Sequence, residues 1–207
     1  MSFRLRWLAI SIATNLALAS AASAESCIQV PDTDGVPAPV LVDGQDTFPL
    51  EPAFEDYAFM LFDACDAWGL SVDQGCDIFP MMGDINENAL ATICDSNKVI
   101  VYDRQLSSKL GYEGAQAVMS HELGHLLCNH LATTTETTAE SHNEEFEADR
   151  FAGATMRLMG FTREATLSYL PLLTEQPSLS HPGSDERAAE LLEGWDVPGS
   201  GLRCLIR

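Results

Sequence analysis

Basic residues are scarce in this chain. Eleven Lys and Arg stand against 31 Asp and Glu, a formal net charge of −20 over 207 residues. Such a balance excludes nucleic acid and an anionic membrane surface as partners, because both would repel it. Also lacking after residue 24 is any apolar stretch long enough to cross a hydrocarbon core of about 30 Å, which excludes stable membrane insertion. No pair of cysteines has the CxxC spacing of a thiolate metal site, and no internal repeat is present. A mature chain of this size fits one domain with one core.

The first 24 residues have a composition of their own. Arg4 and Arg6 lie in an acid-free start, residues 8–22 are apolar apart from small polar interruptions, and Ala22-Ser23-Ala24 offers small residues for cleavage. This is the plan of a secretory signal peptide, so the mature chain is expected to be exported to a periplasm or secreted. Glu25 and Ser26 before Cys27 do not suit lipid attachment. All six cysteines (Cys27, Cys65, Cys76, Cys94, Cys128, Cys204) lie beyond residue 24. An even number in an oxidising compartment reads as three disulfides. Spacing does not choose the pairing; the expectation is that Cys27 and Cys204 tie the two ends together.

Residues 25–50, rich in Pro, Gly and Asp, read as an extended lead-in, and 51–207 as the folded domain. Phe54, Tyr57, Ala58, Leu61, Cys65 and Trp68 recur at helical spacing among acids, predicting an amphipathic helix that ends near Gly69. Residues 89–94 and 98–102 predict a β-hairpin around Asp95-Ser96-Asn97. Further helices are predicted over 113–131, 141–159 (with Ser141 and Glu144 as a capping box), 162–170 and 185–193. Residues 133–138 read as a surface loop. The expected class is mostly α with a small β element (α+β).

Chemistry concentrates between residues 117 and 149. His121 and His125, four apart on a predicted helix, project from one face one turn apart and can bind a single metal ion. Glu122 lies about 100° round the helix from His121, placed to take a proton from a metal-activated water. This is the physical content of HExxH. The pattern sits in an apolar-periodic helix, and four of the five histidines fall within 121–142. A catalytic zinc site takes three protein ligands and an open position. Leu131 and Cys128 occupy the positions where a metzincin would have its third His and its Gly. The remaining source is the next helix, where Glu145 and Asp149 share a face: one would bind metal while the other steadies a ligand. Glu144 and Glu147 point elsewhere if Glu145 faces in.

HELGHLLCNH, then EFEADRFAG, then SHPGSDERAAEL, in that order, resemble the gluzincin peptidases grouped with the CAAX prenyl protease and the HtpX heat-shock protease. The matching positions are HExxH with a further His five residues on (His130), then Glu145, Ala148, Asp149 and Ala152, then His181, Pro182 and Arg187. The resemblance runs from about residue 88 to 192. It implies a zincin-like metallopeptidase domain with one Zn2+ per chain held by His121, His125 and Glu145, and Glu122 as general base. Asp149 would orient His121, and the strand at 99–102 would bind substrate as an added strand. His181 would approach the metal from the C-terminal side, either stabilising the transition state or filling the open position in a latent form. His130 would pack or hydrogen-bond at the helix end.

Lacking a membrane span, the chain resembles the soluble periplasmic branch, which implies protein or peptide substrates and a role in envelope protein quality control. The expected function is therefore that of an exported zinc metalloendopeptidase. The alternative is a zinc-binding latent or non-proteolytic chaperone or assembly factor, and a third is a binding module with structural histidines. Cys128, one turn past His125, is expected in a disulfide that clamps the metal helix.

Overall fold

The computed structural model describes residues 27–31, 34–35, 37–43, 46–132, 135 and 137–206; the leader read at residues 1–24 lies outside them. Seven strands form one mixed sheet: β1 (Cys27–Pro31), β2 (Pro37–Asp43), β3 (Asp46–Pro49), β4 (Glu51–Pro52), β5 (Ile78–Gly83), β6 (Ala89–Cys94) and β7 (Asn97–Asp103). Their spatial order is β3-β2-β1-β6-β7-β5-β4. The sheet is larger than the hairpin expected from sequence. Residues 27–49 supply three strands of it, with prolines 37, 39, 49 and 52 gathered toward the two margins, where missing ladder donors are tolerated.

β6 and β7 form the predicted hairpin. Its turn residues Asp95 and Ser96 both have positive φ (48° and 68°), the backbone of a tight two-residue connection. β7 lies between β6 and β5, and its side chains alternate between two cores. Ile100 and Tyr102 join the larger cluster under the helices, while Val99 and Val101 join Cys27, Leu41, Leu50, Ile85 and Cys94 on the other face. Burial on both faces explains the unbroken apolar run of this strand. The position also removes β7 as a substrate strand: both of its edges are already paired. β6 has the freer edge, since it meets β1 through the single bridge Cys27 to Cys94.

Five α-helices stand among the described residues: α1 (Glu55–Ala67) and α2 (Leu106–Leu127) lie against the sheet, and α3 (Thr138–Leu158), α4 (Arg163–Thr166) and α5 (Ser184–Asp196) pack on α2 and on each other. The buried face of α1 is Tyr57, Met60, Leu61, Ala64 and Cys65; Phe54, counted in the expected stripe, is exposed at the N-cap. α2 starts seven residues earlier than expected because Gly111 (φ 68°) lets two helical pieces join across a kink. From Gly114 to Gly124 every residue of α2 is buried, so it is the central helix. The start of α3 also precedes the expectation: Thr137 and Glu140 form the capping box instead of Ser141 and Glu144. Gly194, expected to stop α5, lies inside it, where a Cβ would fall 2.0 Å from the Arg150 carbonyl oxygen.

The disulfides are Cys27–Cys94, Cys65–Cys76 and Cys128–Cys204. Cys128 is bridged as expected. The expected pairing of Cys27 with Cys204 is wrong: β1 pairs beside β6 and puts Cys27 opposite Cys94, while the 3₁₀ turn Pro198–Cys204 packs on α3 and reaches the end of α2.

Candidate metal centre

The site is assembled from α2, α3 and α5. His121, Glu122 and His125 come from the second half of α2. α3 crosses close by because Gly124 faces Ala148: a Cβ at 124 would stand 3.1 Å from the Ala148 Cα and carbonyl oxygen. That approach brings Glu145 and Asp149, one turn apart, against the two histidines. His121 Nε2 and His125 Nε2 lie 3.0 Å apart, with Glu145 oxygens 3.5 and 3.4 Å from them respectively. All three side chains are largely buried.

Behind this trio stands a second layer. The Asp149 carboxylate, fully buried, lies 2.9 Å from His121 Nδ1 and accepts from the Tyr169 hydroxyl at 2.8 Å. Arg187 on α5 donates to both Asp149 oxygens at 2.8 and 2.9 Å. Its Nη1 is 3.3 Å from Glu145, and Nη2 packs against the His121 ring. Neither Arg187 nor Tyr169 is assigned a role by sequence reasoning. Arg187 is among the positions that carry the resemblance, after its His-Pro signal, but without a role; Tyr169 has no local signal.

The charges within this layer are strongly coupled. Burial and the Arg187 charge disfavour protonation of His121, but Asp149 and Glu145 outweigh them and raise it to about 9. Burial would raise the carboxyl groups of Glu145 and Asp149. For Glu145 the hydrogen bonds of His121 and His125 prevail, and for Asp149 the Arg187 and His121 charges, so both are held below the usual carboxylate range. Burial and the Asp149 charge hold Tyr169 well above its usual value, so it is a neutral donor.

This donor set fits a metal cation. His121 directs Nδ1 at Asp149, which leaves Nε2 as the ligand atom, turned toward His125 Nε2 and Glu145 with Arg187 Nη2 at 3.2 Å. Glu145 Oε2 is buried and makes no well-aligned hydrogen bond among the described residues, its near neighbours being the Arg187 guanidinium at 3.3 Å and His121 Nε2 at 3.5 Å, which leaves a lone pair of this oxygen for a cation. Ligand atoms of His121, His125 and Glu145 all fall within 4.8 Å of one another. Cys128, His130 and Glu147 also cluster, but the Cys128 sulfur is bonded to Cys204.

A cleft of about 770 Å³ opens over the trio. Its walls include Asn88 to Ala91 from β6 and its approach, Glu122, and the segment 172–182. His181 stands on that segment with its side chain 56 % exposed, Nε2 being 3.8 Å from Glu145 Oε1. The first turn of α3 pins the segment: Ser141 donates to the Ser180 carbonyl at 2.8 Å, and His142 Nε2 to that of Ser178 at 2.9 Å. Because α3 starts three residues earlier than expected, Ser141 and His142 lie in its first turns and not at its cap.

The site thus has the donor set and the open cleft of a metal centre that a substrate can reach. Residues 63–140 match the sequence profile of peptidase family M48, which supports a metallopeptidase. The matched stretch contains α2 with His121, Glu122 and His125, and stops before Glu145, Asp149, His181 and Arg187. Comparison with curated proteins and with solved structures finds no match.

Proposed function

We propose that the chain is an exported zinc-dependent metalloendopeptidase that hydrolyses peptide bonds of proteins, with a role in envelope protein quality control. The observation that carries the hydrolytic reading is the convergence of His121, His125 and Glu145 beneath a cleft in which Glu122 is the adjoining carboxylate. Two imidazoles and one carboxylate, with the cleft side open, are the ligand set of a catalytic zinc. Export is supported by the composition of residues 1–24 and by the pairing of all six cysteines.

A zinc ion held there would supply a Lewis acid for the scissile carbonyl and lower the pKa of a water to about 7. The chain's own residues do the rest. An extended segment of substrate would lie along β6 at Asn88 to Ala91, adding a strand to the sheet. Glu122 takes the proton of the attacking water and returns it to the leaving amine. His181, at the cleft mouth, donates a hydrogen bond to the oxygen on which charge develops. Asp149, Arg187 and Tyr169 hold His121 in place.

Cleavage of an unfolded protein substrate by wild type, Glu122→Gln and His181→Ala tests this reading. Glu122→Gln is expected to keep its metal and lose activity by on the order of 10²–10⁴-fold; retained turnover would overturn the assignment. His181→Ala is expected to lose activity as well. A gain in that variant would favour the second reading, a latent or non-proteolytic zinc protein, which draws on the approach of His181 to Glu145.

A further inference from the structure

His125 Nε2 is turned to His121 and Glu145, so its other nitrogen, Nδ1, faces away from the cleft. There it meets His130 Nδ1 at 3.0 Å. The other nitrogen of His130, Nε2, lies 3.2 Å from Glu147 Oε2. The three side chains thus form a line from the metal position to α3: His125, His130, Glu147. His130 is buried. Its place is fixed by the way α2 ends. Cys128 closes the helix by donating to the Gly124 carbonyl and is bridged to Cys204. Asn129 takes a left-handed conformation (φ 65°), and the 3₁₀ turn His130–Ala132 swings the imidazole back beside His125.

With His130 neutral, the hydrogen-bond direction along this line is set from the Glu147 end. A carboxylate only accepts, so the His130 hydrogen belongs on Nε2, facing Glu147. A neutral His130 then has a bare Nδ1, which accepts. The hydrogen between the two rings must come from His125 Nδ1, and the Nε2 of His125 is left as a lone pair directed at the metal position. The reverse direction fails at both ends: it would set a bare His130 Nε2 against the Glu147 carboxylate and put a hydrogen on His125 Nε2, blocking ligation.

We propose that His130 and Glu147 are positioning residues that fix His125 in the tautomer able to bind metal. Asp149 does the same for His121 in one step; Glu147 does it for His125 in two, through an intervening imidazole. The proposal rests on the reading of His121, His125 and Glu145 as metal ligands. It assigns Glu147, which points away from the cleft, a part in the site.

Zinc affinity of the full chain, measured by competition with a chelating indicator, tests the relay alongside thermal melts of the metal-free proteins. His130→Leu is expected to weaken binding about 10–100-fold, the scale of a lost ligand-orienting partner. Glu147→Leu should weaken it too, while the double variant should be no weaker than His130→Leu, because Glu147 acts only through His130. His130→Gln, whose amide oxygen still accepts from His125, should restore most of the affinity. Long-range 1H–15N spectra of the metal-free protein should place the hydrogens on His125 Nδ1 and His130 Nε2. Unchanged affinity in both single variants, additive losses in the double, or a hydrogen on His125 Nε2 would overturn the relay. Wild type that takes up no zinc would instead overturn the metal reading, and the spectra would still decide the relay.

Discussion

His121 and His125 differ in what stands behind them. Behind His121 are a buried carboxylate, a guanidinium and a phenol; behind His125 are an imidazole and a half-buried glutamate. The first environment is rigid and charged, the second lies on a turn held by a disulfide. Asp103 shows the same use of a carboxylate at the cleft wall. It accepts from the backbone of Ile85 and Glu87 at 2.9 Å and of Gln105 at 2.8 Å, holding the segment that lines the cleft before β6. Burial would raise its pKa, but the three N–H groups and Lys109 prevail and hold it below 3.8. A depressed folded pKa gives stability that is full above the unfolded value and lost as pH falls through the folded one. Asp103→Asn is therefore expected to cost about 1–3 kcal/mol near pH 7. Its deficit against wild type should shrink as pH drops below about 4. A deficit independent of pH from 7 to 2 would contradict this.

At this scale much of the candidate site was legible. His121, Glu122 and His125 follow from one helical turn, and Glu145 with Asp149 from another. What was not legible joins distant elements. The contact of His130 with Glu147 depends on how α2 ends, Tyr169 reaches Asp149 from beyond α4, and Arg187, a matched position, shows its bond to Asp149 only once α5 packs on α3.

Among the elements, the contact of α3 with α5 carries the most consequence. The two helices meet backbone to backbone. A Cβ on Gly153 would lie 1.9 Å from the Leu191 carbonyl oxygen, and one on Gly194 would lie 2.0 Å from that of Arg150. This approach delivers Arg187 to Asp149, and the ion pair of Arg150 with Glu190 runs across the same interface. Gly153→Ala should push α5 outward, costing about 3 kcal/mol and lowering the melting temperature by roughly 6–12 °C. An unchanged melting temperature would show that the helices can separate without loss. Sequence reasoning reads Gly194 as a helix stop, because a glycine demanded by a neighbour's backbone looks the same in one dimension as a glycine that ends a helix. The strands at 27–49 were hidden for a related reason: proline and glycine mark turns locally, and only pairing with β6 and with each other makes that stretch a sheet margin.

In the whole molecule, a sheet lies to one side of a central helix, and two disulfides anchor parts of the frame around the site. Cys27–Cys94 fastens the outer strands to β6, the proposed substrate strand, and Cys128–Cys204 fastens the end of α2 to the C-terminal turn. No helix of the described residues is long and apolar enough to cross a membrane. The strongly acidic charge would repel a polyanion. The proposed activity depends on one claim, that His121, His125 and Glu145 hold a metal. Its most direct test is the metal content of the full chain, purified without chelator and supplied with zinc, for wild type and Glu145→Ala. The account predicts roughly one zinc per wild-type chain and loss of it in the variant. A wild-type protein that retains no zinc, or a variant that retains all of it, would contradict the account.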